Sequence, residues 1–509
     1  MKRERPKNPN AILFPAIYNA KNVLPQHVGN PLLEALPRFK ASREMLAALG
    51  SFPPYVAEDR QKASFLRMLS VLELSGFFIP MRKHFAVVEQ MGLVIYEGYT
   101  HRNPATADYK KAQIEFYRQS IEGAIVPINL PKPSTAPSFS IFGVPGMGKS
   151  SIVERILNFY PQAIIHADHH FMQLVWLKVD CPLDGSLKQL LLSIVGQIDE
   201  TLDTSHGDVL TRRTEVDKLV VQVAKVAAQH HLGVLVIDEI QNLLDAPGVG
   251  PAKMLNFFVT LSNEVKVPFV IVGTPKAQRM LEVMFREARR VSDKGAIQWD
   301  RMDNGEEWKY FIGKLWPYQW TANETKLTDE LSNAMYLETQ GITALAVRLY
   351  QLVQLTAIRG EKKEMITKDL ISRVASDNFG LLKKALKALR SGNKSEMKLF
   401  EDLFEKGMEA IDEKLRGAMH RESGPAGQSD TTSLKDNLIE LGASEKRAEA
   451  AAEEFNATGP DLSFEKEISE WVANENDAVN LIALFRRAQE NGSDIIPELD
   501  GAGLILRAS

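Results

Sequence analysis

A single cysteine in 509 residues, Cys181, excludes an internal disulfide, and no cluster of Cys and His has the spacing of a metal site, a pattern expected of a reducing cytosol. No apolar run approaches the roughly eighteen residues that cross a bilayer. The basic start MKRERPKNPNAILFPAIYNAKN turns apolar only briefly and lacks a small-residue cleavage site, so neither a signal peptide nor a membrane partner is expected. Charge of one sign is scarce too: 61 Lys and Arg against 65 Asp and Glu leave a formal net charge of -4. Such a chain exerts no strong pull on nucleic acid or anionic lipid, so any DNA contact must come from a local basic stripe. Solenoid repeats and long low-complexity tracts are also missing. The composition that remains, 44% hydrophobic and 25% charged, excludes wholly disordered, collagenous and disulfide-stapled classes. The expectation is a soluble, cytoplasmic chain, too long for one compact core.

Four regions follow from the patterning. Residues 1–110 are rich in Pro, Asn and aromatics, with helical stretches such as SFLRMLSVLELSGFF, and read as an arm plus small helical packing units that dock a partner. Over 111–300, short β-branched runs alternate with amphipathic helices, the signature of a parallel sheet covered on both faces. Residues 301–395 are purely helical in pattern, and 396–509 form a further helical region and tail. The segments RSGNKSE (390–396) and GPAGQSDTTS (424–433) read as linkers. EKRAEAAAEEF reads as a solvated helix face, and DIIPELDGAGLILRAS as either a partner-docking tail or a frayed terminus.

The segment SFSIFGVPGMGKSSIVERIL reads as strand, tight loop and helix, and Gly143, Val144, Pro145, Gly146, Met147, Gly148, Lys149 and Ser150 fit G-x-x-x-x-G-K-[ST] without a gap. Glycines let backbone N–H groups turn toward phosphate oxygens, where a side chain would clash or forbid the dihedrals. Lys149 would neutralise the β- and γ-phosphates, Ser150 would give Mg²⁺ a hydroxyl ligand, and the helix beginning there would direct its positive dipole end at the anion. The whole loop, Gly143 to Ser151, therefore implies a nucleoside triphosphate, ATP with Mg²⁺, held on a helix pinned by Ile152, Val153, Ile156 and Leu157.

Some ninety residues on, GVLVIDEIQNLL carries an unbroken apolar run, Val234 to Ile237, ending in Asp238 and Glu239. Lack of alternation marks a central parallel strand, and such sheets bind ligands at their carboxyl ends. Asp238 is then placed to hold the magnesium water shell, and Glu239 to orient and deprotonate an attacking water. Adjacent carboxylates favour triphosphate hydrolysis over phosphotransfer. Between the two strands, VWLKVD (175–180) adds a third, followed by two amphipathic helices. PFVIVGTP adds a fourth, ending in Thr274, which could touch the γ-phosphate or simply cap a helix with Pro275 at its first position. The helix KAQRMLEVMFREARR ends in Arg286, Arg289 and Arg290, charge that would compensate a helix dipole, before a fifth strand, AIQWD.

This order of elements resembles the AAA+ ATPases: an α/β P-loop core with a parallel five-stranded sheet, an all-helical lid, and mostly helical N- and C-terminal extensions. More narrowly, GYTHRNPATADYKKA, GSLKQLLLSI, LGVLVIDEIQNLL, MLNFFVTLSNEVKVPFVIVGTPKA, REARRVSDKGAIQWD and EALPRF resemble the TnsC family, ATP-dependent regulators of heteromeric-transposase transposons, over most of residues 30–360. The resemblance implies an ATP-bound homo-oligomeric ring or filament on double-stranded DNA, bound through largely sequence-independent phosphate contacts. It also implies contact with a target selector (TnsD- or TniQ-like) and with transposase subunits (TnsA- and TnsB-like), the latter assigned to the region after 395. By position, Thr274 would be the first sensor, and Arg289 or Arg290, with Arg286 as a third candidate, the finger reaching a neighbouring subunit's γ-phosphate. Arg348 falls where a second sensor is expected, or is an ordinary lid arginine. Lys188, Arg212, Arg213 and Lys218 lie near the helices that face the pore in related DNA-bound ATPases, and each alone could equally be a solvated charge. A ring repeats even a small basic stripe once per subunit, so modest net charge permits binding. Other readings of the same features are a different DNA-loading ATPase, such as a helicase loader, or a STAND-type signalling scaffold, against which the intact Asp238-Glu239 pair counts.

Overall fold

Runs of Val, Ile, Leu and Phe too short for helices and bounded by turn residues become strands, eight in all among the described residues. The computed structural model describes residues 13–38, 42–121, 136–183, 185–211, 213–245, 251–278, 281, 295–360, 363–380, 382–391 and 397–417. The strands are β1 (Leu13–Pro15), β2 (Phe139–Gly143), β3 (Ala163–His166), β4 (Phe171–Leu174), β5 (Trp176–Asp180), β6 (Val234–Asp238), β7 (Phe269–Gly273) and β8 (Ala296–Trp299). The main sheet runs β5-β6-β7-β2-β8, parallel throughout. Every residue of β2, β6 and β7 is buried, which is why these strands read as unbroken apolar runs. The α/β class and five-stranded parallel sheet expected from sequence are what the chain forms.

Register places the chemistry at one edge. Phe142 pairs with Gly273 and Gly143 with Trp299, while Asp180 pairs with Asp238. The carboxyl ends of β2, β6 and β7 thus deliver the phosphate loop, Asp238 and Thr274 to adjacent positions. The helix Leu187–Leu202 buries Leu187, Leu190, Leu191, Ile194, Val195, Ile198 and Leu202, a stripe at helical spacing, and begins with Ser186 accepting from Gln189 N–H. It packs beside Val216–Gln229, whose Leu219, Val223, Val226 and Ala227 join the same core.

A second sheet, β1-β3-β4, was not legible beforehand: β1 pairs in parallel with β3, and β3 antiparallel with β4. The N-terminal region packs against the sheet and the lid. Helix Arg82–Thr100 lies against β6, β8 and the helix of the phosphate loop, with Tyr99 Oη donating to His231 O at 2.8 Å. Helix Ser64–Leu72 lies on lid helix Thr343–Gly360, where Gln351 Nε2 donates to the Val71 and Leu72 carbonyls. Beneath it the buried Arg67 grips Glu364 through two hydrogen bonds, at 2.5 and 3.0 Å.

The lid is helical as expected: Glu306–Leu315, Asp329–Thr339, Thr343–Gly360, Lys368–Asn378 and Lys383–Ser391. Thr328 and Thr367 cap two of these, accepting from Leu331 and Leu370 N–H. Gly341 turns the chain between the second and third at φ 73°, and a Cβ there would meet Met302 O at 2.1 Å. No single described helix is long and apolar enough to cross a membrane. Met1–Leu415 constitutes one compact unit and Arg416–Ser509 a second, of which residues 416 and 417 alone are described. The 424–433 linker, the Ala- and Glu-rich segment and the terminal tail lie outside the described residues, as do 392–396.

Candidate functional site

The phosphate loop leaves β2 and closes into helix Lys149–Leu157. Two of its glycines are required for different reasons. Gly143 lies so close to β8 that a Cβ would sit 2.0 Å from Trp299 O, whereas Gly148, at φ 84°, adopts the left-handed conformation that starts the helix. Gly146 also has positive φ, 76°, and its carbonyl accepts from Thr343 Oγ1 (2.9 Å) and Ala344 N–H (3.0 Å), so the loop is tied to the first turn of lid helix Thr343–Gly360. Lys149 is buried and its Nζ donates to Gly143 O (2.9 Å) and Val144 O (3.1 Å), which holds the ammonium over the loop. Ile152, Val153, Ile156 and Leu157 are buried and fix the helix to the sheet.

Asp238 ends β6 almost wholly buried, its Oδ1 accepting from Glu239 N–H at 2.9 Å. Glu239 is held at φ 52°, a left-handed conformation that costs a non-glycine residue on the order of 1 kcal/mol or more and persists only where its surroundings enforce it. Its carboxylate is hydrogen-bonded by Gln241 Nε2. A residue not singled out from sequence, Lys178 on β5, lies 3.4 Å from Asp238 Oδ2, 2.8 Å from Asp180 Oδ1 and 3.0 Å from Glu154 Oε1. Burial disfavours its ammonium, yet the surrounding carboxylates raise its pKa above the ordinary lysine value. Only the register of β5 against β6 reveals it.

At Thr274 the backbone and the side chain are separately placed. Its carbonyl accepts Gln278 N–H at 3.1 Å, the first bond of the following helix, so the backbone does the capping. The hydroxyl is buried without a hydrogen-bond partner. A buried hydroxyl left unmade is costly, and this one borders the same cleft as the loop and Glu239.

That cleft, about 580 Å³, brings together Pro145 to Ser151, Glu239, Thr274 and Arg348, a volume within the roughly 300–1,000 Å³ of small-molecule sites. Phe77, Phe78 and His84 of the N-terminal region and Phe311 and Val347 of the lid line it too, an apolar wall suited to an aromatic base. The His84 Nδ1 accepts from Met81 N–H, and burial drops the ring's pKa to about 4, so it is neutral. Two positive-φ glycines, a buried ammonium and an unsatisfied hydroxyl fit a triphosphate. For magnesium, the Ser150 hydroxyl and Asp238 carboxylate are the hard oxygen donors this ion takes alongside phosphate and water. Among the described residues no group of three or more His, Cys, Asp or Glu side chains could hold a metal by itself.

Arg286, Arg289, Arg290 and Arg212 lie outside the described residues. Lys188 sits half-buried in the first turn of Leu187–Leu202 and Arg213 is exposed. Lys218, also exposed, pairs with Glu215 at 3.4 Å on its own helix. Arg348 is engaged by Asp412, Nε to Oδ1 at 2.5 Å and Nη2 to Oδ2 at 2.8 Å, a partner 64 residues away that no local pattern announces.

A phosphate loop on a central strand of a parallel sheet, tied to a helical lid, makes this a P-loop AAA+ fold. Residues 132–281 match the family described as an AAA domain, a span running from before β2 through β7 and the start of the next helix. No curated protein matches the chain. Among solved structures it is similar to the ORC1 protein of Aeropyrum pernix in complex with DNA, at 12% identity over 72% of this chain and 87% of that one, with a TM-score of 0.35. It is likewise similar to the ORC2 protein of Aeropyrum pernix in ADPNP-ADP complexes (12% identity, 68% and 92% covered, TM-score 0.33). A Walker-type ATPase of Pyrococcus abyssi is a third (13% identity, 58% and 78% covered, TM-score 0.33).

Proposed function

We propose that this chain is an ATP-dependent, DNA-binding regulator of transposition of the TnsC kind. In this reading it assembles on target DNA as an ATP-bound oligomer, links a TnsD- or TniQ-like target selector to TnsA- and TnsB-like transposase subunits, and hydrolyses ATP to disassemble. The convergence of loop, Glu239 and the unpartnered Thr274 hydroxyl in one cleft supports the ATPase half, and the AAA domain match supports nucleotide hydrolysis in general. The DNA and transposition half rests on the TnsC-like segments between residues 30 and 360.

The loop N–H groups and Lys149 bind the β- and γ-phosphates, and the apolar wall takes the base. Ser150 would hold Mg²⁺ and Asp238 its water shell, and the ion would supply charge neutralisation at the phosphates. Glu239, oriented by Gln241 and by its own strained backbone, accepts the proton of the attacking water. Thr274 donates its hydroxyl to the γ-phosphate or to that water. Arg289 or Arg290 of a neighbouring subunit completes the site, so that hydrolysis reports assembly. Lys188, Arg212, Arg213 and Lys218 contribute phosphate contacts along DNA.

Glu239→Gln keeps the size of the side chain and removes the base. The variant is expected to bind ATP and DNA, to lose phosphate release, and to remain as rings or filaments on DNA in electron micrographs. Wild-type turnover by Glu239→Gln would remove Glu239 from the role of base.

A further inference from the structure

Helix Met397–Gly417 presents one face to the nucleotide cleft. Phe404, Met408 and Asp412, spaced four residues apart, line that cleft together with Glu409. The Phe404 ring lies on Gly146, so close that a Cβ there would meet its Cζ at 2.4 Å. Buried Ile411 and Leu415, and Gly407 packed 2.5 Å from Leu382 by the same measure, seat the helix. From this position Asp412 takes the Nε edge of Arg348 in a two-point ion pair.

We propose that this helix is a built-in cover on the cleft, in which Asp412 competes with the triphosphate for Arg348. The inference rests on reading the cleft as the nucleotide site. A paired guanidinium has little net charge to offer a phosphate, and Asp412 and Glu409 add two carboxylates where a polyanion must enter; like charges juxtaposed oppose binding. The pair is also easily exchanged. Its side chains are 27% and 34% exposed, so solvent screens it, and phosphate oxygens can take over the same planar fork. Because coupling is reciprocal, nucleotide loosens the helix by the factor by which the helix weakens nucleotide.

The test is calorimetric titration of the full chain with a non-hydrolysable ATP analogue and Mg²⁺. Asp412→Asn, which keeps shape and loses charge, is expected to bind about fivefold or more tightly than wild type, the low end of typical couplings. In an Arg348→Ala background the same substitution should lose most of that gain. Limited proteolysis within 397–417 should accelerate when the analogue is added to wild type. If wild type binds and Asp412→Asn binds equally or more weakly, Asp412 holds Arg348 ready for the nucleotide and the cover is refuted. An equal gain with and without Arg348, or proteolysis unaffected by the analogue, also refutes competition. Failure of both wild type and Asp412→Asn to bind overturns the nucleotide reading itself.

Discussion

Replacing Lys149 by Met keeps the apolar stem and removes one charge from the centre of the site. Because Lys149 is only 9% exposed, an effective dielectric near 20 applies, and an ammonium about 4 Å from a phosphate charge gains about 4 kcal/mol rather than the ~1 kcal/mol of open water. Part of that is offset: Nζ already donates to Gly143 O and Val144 O, and loosening charge-assisted bonds of ~1.5 kcal/mol or more subtracts from the gain. A net loss of about 2–3 kcal/mol follows, a Kd roughly 30- to 150-fold weaker. The assay is titration with a fluorescent ATP analogue in Mg²⁺, alongside thermal melting to confirm that the variant folds. A folded Lys149→Met protein whose Kd lies within about fivefold of wild type, the effect of a fully solvated charge, would refute the placement of the phosphates over this loop.

Two further predictions concern the scaffold. Arg67→Ala removes the partner of Glu364, whose side chain is 18% exposed and keeps one other donor, Ala322 N–H at 2.8 Å. Breaking a fully buried pair costs about 3–5 kcal/mol, so this half-relieved case should cost about 2–3 kcal/mol in denaturant melts; no change would mean the N-terminal helices do not brace the lid. Acid should act through buried histidines: burial lowers His84 and His230 to about 4 and His231 to about 3, against an ordinary 6.5. Below that ordinary value the unfolded chain binds protons that the folded chain refuses, so stability is fully present above it and falls by ~1.4 kcal/mol per pH unit for each such histidine as pH drops toward the folded pKa. Melting temperatures should therefore decline steeply between about pH 6 and 5, above the range where carboxylates titrate; a flat profile there would contradict the burial of these rings.

The sheet edge that carries the candidate site was legible because its signals are local. Glycine spacing fixed the loop, and an unbroken apolar run ending in Asp238 and Glu239 fixed a strand buried on both faces. Thr274 was half-legible: its position was clear, but that the backbone caps while the hydroxyl is left without a partner appears only in three dimensions. The small sheet was missed because strands of three or four residues, one ending in Pro15 and another in His166, carry too few alternations to register. Lys178 and Asp412 were missed for another reason. Each acts on a site residue far along the chain, Lys178 on Asp238 and Asp412 on Arg348, and a single sequence holds no signal for such pairs.

The proposed ATP-gated grip on DNA is tested most directly by fluorescence anisotropy of labelled duplex DNA, titrated with the full chain at two salt concentrations, with and without a non-hydrolysable ATP analogue. Binding should appear only with the analogue and weaken steeply as salt rises, because phosphate contacts release counterions. Binding of equal strength without nucleotide would contradict the account.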